Sequence, residues 1–206
     1  MEAKKMTKTD RAVARFCDMM IEAINGLEQG WRKTWLTSVA SGRPMNANEQ
    51  LDALINGGWA CPIKCERQNR AFYNSNTDSI TLPLKEQFSL GGTEADVFRA
   101  GEEFYSTALH EMTHSTITAD RCNRACNSKK FGDEAYGREE LVAELTAAMC
   151  GHELGFNTAV EKNNAAWLSS WLKAIKKEPT FLISVLADVN KAASYIDKAM
   201  AKVKTA

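Results

Sequence analysis

The stretch His110-Glu111-Met112-Thr113-His114 decides how this chain is interpreted, because it has the form HExxH and contains two of only three histidines in 206 residues. On a helix, residues four apart lie on one face, so both imidazoles can reach a single metal ion. Glu111 would then lie beside the metal's open coordination position. The pattern predicts a hydrolytic zinc site, with His110 and His114 as ligands and Glu111 as the catalytic base. The competing interpretation is a solvated helix face.

The sequence around this motif predicts a long helix. Thr93 and Asp96 have the spacing of a capping box, so the helix is expected to begin there and to run to about Ile117, with a pause at Gly101. The apolar residues expected to face the core recur with a helical period, and they are Phe104, Ala108, Leu109 and Met112. The histidines therefore lie on a different stripe of the same helix.

The rest of the chain reads as mostly helical with one short β region. Apolar periodicity and Gly or Pro punctuation predict further helices at 10–27, 49–55, 136–154, 163–176 and 179–202. Residues 71–73 and 80–82, separated by turn formers, predict a small hairpin or two short strands. The expected fold is α+β, mostly helical, with a small sheet beside the HExxH helix.

A catalytic zinc ion usually has three protein ligands and a water, so a further ligand is expected downstream of the motif. Glu140 and Glu144 lie one turn apart on the predicted helix at 136–154, opposite its apolar stripe. Glu140 is predicted to bind the metal, and Glu144 to accept the second ring N–H of a ligand histidine. Glu139 is the alternative ligand, and a solvated acidic face is the competing interpretation for all three glutamates.

Composition narrows the functional class. Lys+Arg and Asp+Glu both total 26, so no global positive charge favours nucleic acid or an anionic membrane. No apolar run is long enough to span a bilayer, and Met1 to Asp10 is polar, so we expect a cytoplasmic protein without a membrane partner. Six cysteines without a secretion signal are expected to be thiols; the alternative is a structural metal site on the two C-x3-C pairs, which begin at Cys61 and Cys122.

Several segments, taken together, resemble a known family. HExxH followed by E-x-x-A-E resembles the gluzincin metallopeptidases and, more narrowly, the metallopeptidase domain of ArdC-type antirestriction and phage polyvalent proteins. The segments that carry the match are Asn69 to Tyr73, Asp78 to Pro83, Phe104 to His114, Arg138 to Leu145 and Ala165 to Leu172. The resemblance implies a zincin-like fold over residues 61–206, with Zn²⁺ held by His110, His114 and Glu140.

The same resemblance implies a zinc-dependent peptidase that acts on a protein or peptide substrate. Glu111 would take a proton from a water whose pKa zinc lowers to about 7. The strand at 80–82 would be an edge along which the peptide aligns. Tyr136 is the expected oxyanion donor; Tyr105 and His152 are other candidates, although His152 reads more readily as a capping or core residue.

The alternative function involves single-stranded DNA. Residues 1–60 are expected to form a helical N-terminal segment, and Leu27 to Trp35 resembles the opening of the DNA-binding domain of ArdC-type proteins. The remainder of that domain has no room here, so the segment would be a shortened remnant in which Trp31 and Trp35 could stack on bases. In this alternative the zinc is inactive, or it is structural and closed by a cysteine such as Cys122 or Cys126.

Overall fold

The computed structural model describes residues 45–89, 91–124, 134–156 and 180–204, with side-chain detail from residues 137 and 181 onward in the last two segments. The statements below refer to these residues. Their elements are helix α1 (Glu49–Ala53) with a π turn (Leu54–Gly58), strands β1 (Ile63–Glu66), β2 (Phe72–Asn74) and β3 (Ser79–Pro83), a 3₁₀ turn (Lys85–Phe88), and helices α2 (Glu94–Ser115), α3 (Glu134–Glu153) and α4 (Thr180–Lys204). The predicted mostly helical α+β fold is confirmed.

The three strands form one sheet in the order β1-β3-β2. Strand β3 pairs in parallel with β1 and antiparallel with β2, so Ile80 lies between Ile63 and Tyr73. The predicted hairpin is confirmed, whereas β1 was missed because its four residues are not alternately buried and exposed. The prediction that 80–82 forms a substrate-binding edge is wrong, because β3 is the central strand.

Helix α2 is continuous over 22 residues and begins as predicted. The Thr93 hydroxyl accepts the Asp96 N–H at 3.2 Å, and the Asp96 carboxylate accepts the Thr93 N–H at 2.9 Å. The expected pause at Gly101 does not occur. A Cβ on Gly101 would lie 2.6 Å from the backbone nitrogen of Asn46, so this glycine permits a close approach of the chain rather than breaking the helix.

The core is built around α2, which packs on α3 and on the sheet. Tyr105 of α2 is fully buried, and its hydroxyl donates to the Asp52 carboxylate at 2.8 Å and accepts from Lys85 at 2.7 Å. Trp59 donates to the Ser115 hydroxyl at 2.9 Å. Helix α1 and Trp59 thus share the core of the sheet and α2. The predicted boundary between residues 60 and 61 stays a prediction, because residues 1–44 lie outside the described part.

Arg121 joins the sheet to the end of α2. Its guanidinium donates to the Asp78 carboxylate at 2.9 Å and to the Ser115 carbonyl at 2.6 Å. The Tyr73 hydroxyl also donates to Asp78, at 2.9 Å. The turn between β2 and β3 therefore lies beside the C-terminal end of α2, which carries HExxH.

Candidate metal centre

His110 and His114 face each other near the C-terminal end of α2. One helical turn separates them, and their Nε2 atoms lie 3.0 Å apart. Glu140 reaches the pair from α3, with one carboxylate oxygen 3.6 Å from the Nε2 atom of His110 and the other 3.5 Å from that of His114. The packing of α2 on α3 therefore brings Glu140 to two histidines that lie 30 and 26 residues earlier in the chain.

The spacing of these atoms suits a divalent cation. Zinc–ligand bonds of 2.0–2.2 Å in tetrahedral geometry place neighbouring ligand atoms about 3.3–3.5 Å apart. The distances above, 3.0 to 3.6 Å, bracket that value. One ligand atom from each of His110, His114 and Glu140 lies within 4.8 Å of the other two. Two imidazoles and a carboxylate are donors that zinc accepts, and other divalent transition metals accept them too.

The outer ring nitrogen of each histidine faces a further glutamate. The Nδ1 atom of His110 lies 3.6 Å from Glu144, and that of His114 lies 3.3 Å from Glu139. Glu144 thus has the neighbour that the sequence predicted for it, at a distance beyond a normal hydrogen bond. Glu139, the alternative ligand, lies instead on the side of His114 away from Glu140.

Arg124 is a residue of this centre that the sequence interpretation missed. Its side chain is 0% exposed and binds both carboxylate oxygens of Glu139, at 2.5 and 2.8 Å. It also donates to the Thr113 carbonyl at 2.7 Å and to the Thr116 hydroxyl at 3.2 Å. An arginine in a polar segment after a helix looks like a solvated residue, so no sequence pattern indicated this role.

Buried carboxylates give the centre a negative electrostatic potential. Burial by itself would lower the pKa of His110, but the Glu140 carboxylate 3.6 Å from its Nε2 atom, together with the charges of Glu144 and Glu111, outweighs burial and raises that pKa to about 10. Burial raises the pKa of Glu144 to about 7, with the Glu140 charge adding to the shift and His110 opposing it. Several buried carboxylates around two imidazoles favour a cation between them.

The comparisons with known proteins fit this geometry. Residues 49–188 match the family model described as a zincin-like metallopeptidase. The chain belongs to that family. The zincin-like chain is also similar to the solved antirestriction protein ArdC from plasmid R388. The metal-free ArdC structure gives a TM-score of 0.58 at 27% identity, over 79% of this chain and 54% of ArdC. The Mn(II)-bound structure gives 0.60 at 25% identity, over 84% and 58%. The resemblance to ArdC-type domains is confirmed.

Curated relatives of this zincin-like chain include two Escherichia coli proteins, each named DNA primase TraC. One is 36% identical over 151 residues, which is 73% of this chain and 10% of that protein. The other is 35% identical over 177 residues, which is 85% of this chain and 14% of that protein. The zincin-like chain thus spans about a tenth to a seventh of the length of these relatives.

The predicted oxyanion donors are placed as follows. Tyr136 is in the first turns of α3, and its side chain lies outside the described residues. The Tyr105 hydroxyl is engaged by Asp52 and Lys85 in the core. The expectation for His152 was a capping or a core residue; it is exposed in the last turn of α3, so it is not a core residue, and its carbonyl accepts the backbone N–H of residue 155.

The predictions about the cysteines have different outcomes. Cys61, Cys65, Cys122 and Cys150 are free thiols, as the composition predicted. Cys122 is not a member of the converging ligand group, and its Sγ lies 3.6 Å from the Lys191 carbonyl of α4. Cys126 lies outside the described residues. Within the described ranges, no group of cysteines forms a structural metal site. None of the described helices combines the length and the apolar character needed to cross a bilayer.

Proposed function

We propose that this zincin-like domain is a zinc-dependent peptidase in which His110, His114 and Glu140 hold the metal and Glu111 is the general base. The observation that carries the proposal is the convergence of two Nε2 atoms and one carboxylate at ligand–ligand spacing. Membership of the zincin-like family supports it independently. When bound, the metal supplies a Lewis acid that activates a water and polarises the substrate carbonyl.

The roles of the chain's own residues follow from their positions. Glu111 is buried and adjacent to His110 in the chain, and its negative charge contributes to the raised pKa of that histidine. It would accept the proton of the attacking water and pass it to the leaving amine. Glu144, next to the outer nitrogen of His110, would orient that ring.

We infer that a peptide substrate aligns along β2 rather than β3. Within the described residues β2 pairs with β3 on one side, and Phe72 on this strand is 41% exposed. The turn that follows β2 lies beside the end of α2 through the contacts of Arg121 with Asp78 and Ser115. An antiparallel edge strand near the metal offers backbone groups to an extended peptide.

Metal analysis combined with a cleavage assay tests the proposal. Purified protein should contain one zinc per chain, and Glu111→Gln should keep that zinc while lowering cleavage of a peptide library about 10²-fold or more. His110→Ala should lose the metal. Glu153→Gln, an exposed change on α3, is the matched control and should alter neither property. Equal cleavage by wild type and Glu111→Gln would refute the base assignment, and full zinc content in His110→Ala would refute the ligand assignment.

The relatives suggest where such a peptidase acts. ArdC is described as an antirestriction protein of a plasmid, and TraC is named a DNA primase. We propose that this chain serves a mobile genetic element by cleaving a protein substrate, and that any contact with DNA is made outside the metal centre. Single-stranded DNA binding is the second candidate, favoured by the DNA-related names of these relatives. Fluorescence anisotropy with a single-stranded oligonucleotide at several salt concentrations tests it, because phosphate contacts give a salt-dependent affinity.

A further inference from the structure

We propose that Arg124 is a positioning residue for the metal centre, acting through Glu139 to orient His114. This inference rests on the proposed metal site but goes beyond its ligands. A histidine that binds a metal through Nε2 must carry its proton on Nδ1, and a carboxylate at Nδ1 selects that tautomer and fixes the plane of the ring. Glu139 lies 3.3 Å from the Nδ1 atom of His114 and occupies that position.

Glu139 is held there by a two-pronged contact. The Arg124 guanidinium donates to both of its carboxylate oxygens, at 2.5 and 2.8 Å, in the planar geometry that arginine offers and lysine does not. The same contact balances the negative charge of Glu139, next to Glu140 in the sequence. Without it, Glu139 would be a buried carboxylate beside a second carboxylate, free to adopt other rotamers.

Arg124 is itself fixed to the helix that carries the histidines. Its Nη2 atom donates to the Thr113 carbonyl at 2.7 Å and to the Thr116 hydroxyl at 3.2 Å, on either side of His114. The guanidinium is fully buried, so solvent does not weaken these bonds. The contacts form a closed circuit from the α2 backbone through Arg124 and Glu139 back to the His114 ring.

The two histidines differ in this respect. The outer nitrogen of His110 faces Glu144 at 3.6 Å, and the described residues place no arginine on that carboxylate. The circuit therefore makes His114 the more rigidly held of the two rings. A rigid ligand loses less freedom when the metal binds, so the circuit should contribute directly to metal affinity.

A double-mutant cycle on zinc affinity separates this role from a purely structural one. Zinc dissociation constants would be measured by competition with a chromophoric chelator for wild type, Arg124→Met, Glu139→Gln and the double variant. Each single change should weaken zinc binding about 10-fold or more, within the 10–100-fold range of such outer contacts. Because Arg124 acts through Glu139, the zinc affinity of the double variant should be no lower than that of the single variant with the lower affinity.

Two further variants keep the test decisive. Arg124→Lys retains the charge and one hydrogen bond, so it should fold where Arg124→Met does not, and it should still lower zinc affinity because the two-pronged contact is lost. Arg138→Met is the matched control, because Arg138 precedes Glu139 on α3 but pairs with Asp188 of α4 at 2.9 Å. It should leave zinc affinity unchanged. NMR of zinc-loaded protein adds a direct readout: the Nδ1–H proton of His114 should exchange with water faster in the Arg124 variants.

The outcomes are distinguishable from those of the proposed function. A wild-type protein that binds no zinc would overturn the metal site and this inference with it. A wild-type protein that binds zinc, with losses that multiply in the double variant, would overturn the Arg124 assignment alone, because Arg124 would then act independently of Glu139. Unchanged affinity in both Arg124→Met and Arg124→Lys would do the same.

Discussion

Glu144→Gln should stabilise the metal-free protein and weaken its metal binding, which are opposite effects of one change. Glu144 is 4% exposed and lies near the carboxylates of Glu140 and Glu111, and burial with these charges raises its pKa from 4.5 to about 7. Holding it ionised in the folded state therefore costs about 3 kcal/mol above pH 8. Desolvating the replacement amide offsets part of this gain, so we expect a net stabilisation of about 1–2 kcal/mol.

The pH dependence fixes the sign of this prediction. A carboxyl group whose folded pKa is raised binds protons more tightly in the folded state, so its contribution to stability falls as pH rises from 4.5 toward 7. The difference in unfolding free energy between wild type and Glu144→Gln that arises from this group should therefore be small at pH 4 and should grow between pH 5 and 8. For a chain of this size, the variant should melt about 2–8 °C higher at pH 8 in the presence of a chelator.

Metal reverses the ranking. Loss of the carboxylate beside the Nδ1 atom of His110 should weaken zinc binding about 10–100-fold. Thermal unfolding with chelator and chelator competition for zinc measure the two effects on the same samples, and Glu153→Gln on the exposed face of α3 is the control for removing a negative charge. A lower melting temperature for metal-free Glu144→Gln at pH 8, or a difference that does not change with pH, would refute the reasoning.

Three further changes test the fold that supports the centre. Gly101→Ala should lower the free energy of unfolding, measured by urea denaturation, by about 1–3 kcal/mol, because the new Cβ would meet the Asn46 backbone. A more stable variant would show that the Asn46 segment shifts at little cost. Thr93→Ala should cost about 1 kcal/mol through loss of the helix cap, measured in the same way; no change would mean that the cap is replaced by water. Asp78→Asn should cost about 1 kcal/mol, because its half-exposed carboxylate pairs with Arg121. Arg121 lowers the pKa of Asp78 from 3.8, so this last difference should be present at pH 7 and should be lost in acid as the carboxylate becomes protonated; a difference in stability that does not depend on pH would contradict the ion pair.

Local patterns predicted the long helices of the described residues, and the helices predicted at 10–27 and 163–176 lie outside those residues. The capping box at Thr93 and the 3.6-residue period located α2 correctly, and the same reasoning located α3 and α4 to within a few residues. The errors concern features set by distant contacts. A pause in the helix was predicted at Gly101, but the absence of a side chain there instead allows the backbone of Asn46, 55 residues earlier, to pack closely against the helix. Strand β1 was missed because its pairing with β3 is parallel and lies outside any local pattern.

The buried face of α3 shows a related limit. The apolar period of this helix predicts a buried side made of Leu141, Val142, Leu145, Ala148 and Met149. Leu141 and Val142 are buried, but the other three are only partly buried, while Thr146 and Ala147 are buried. Helix α3 has apolar residues on much of its circumference, so its period alone does not choose a face. The contacts with α2 and α4 choose it.

The sequence by itself indicated the three residues that converge at the candidate metal centre, His110, His114 and Glu140. Helical geometry places His110 and His114 on one face, and it places Glu140 and Glu144 on one face, wherever those helices lie. Only the tertiary structure decided which glutamate contacts which histidine. It also placed Glu139, paired with Arg124, at the outer nitrogen of His114. The physical reason is the sequence separation of the contacts involved. Helix periodicity depends on neighbours within one turn, whereas the packing of α2 on α3 depends on side chains far apart in the chain.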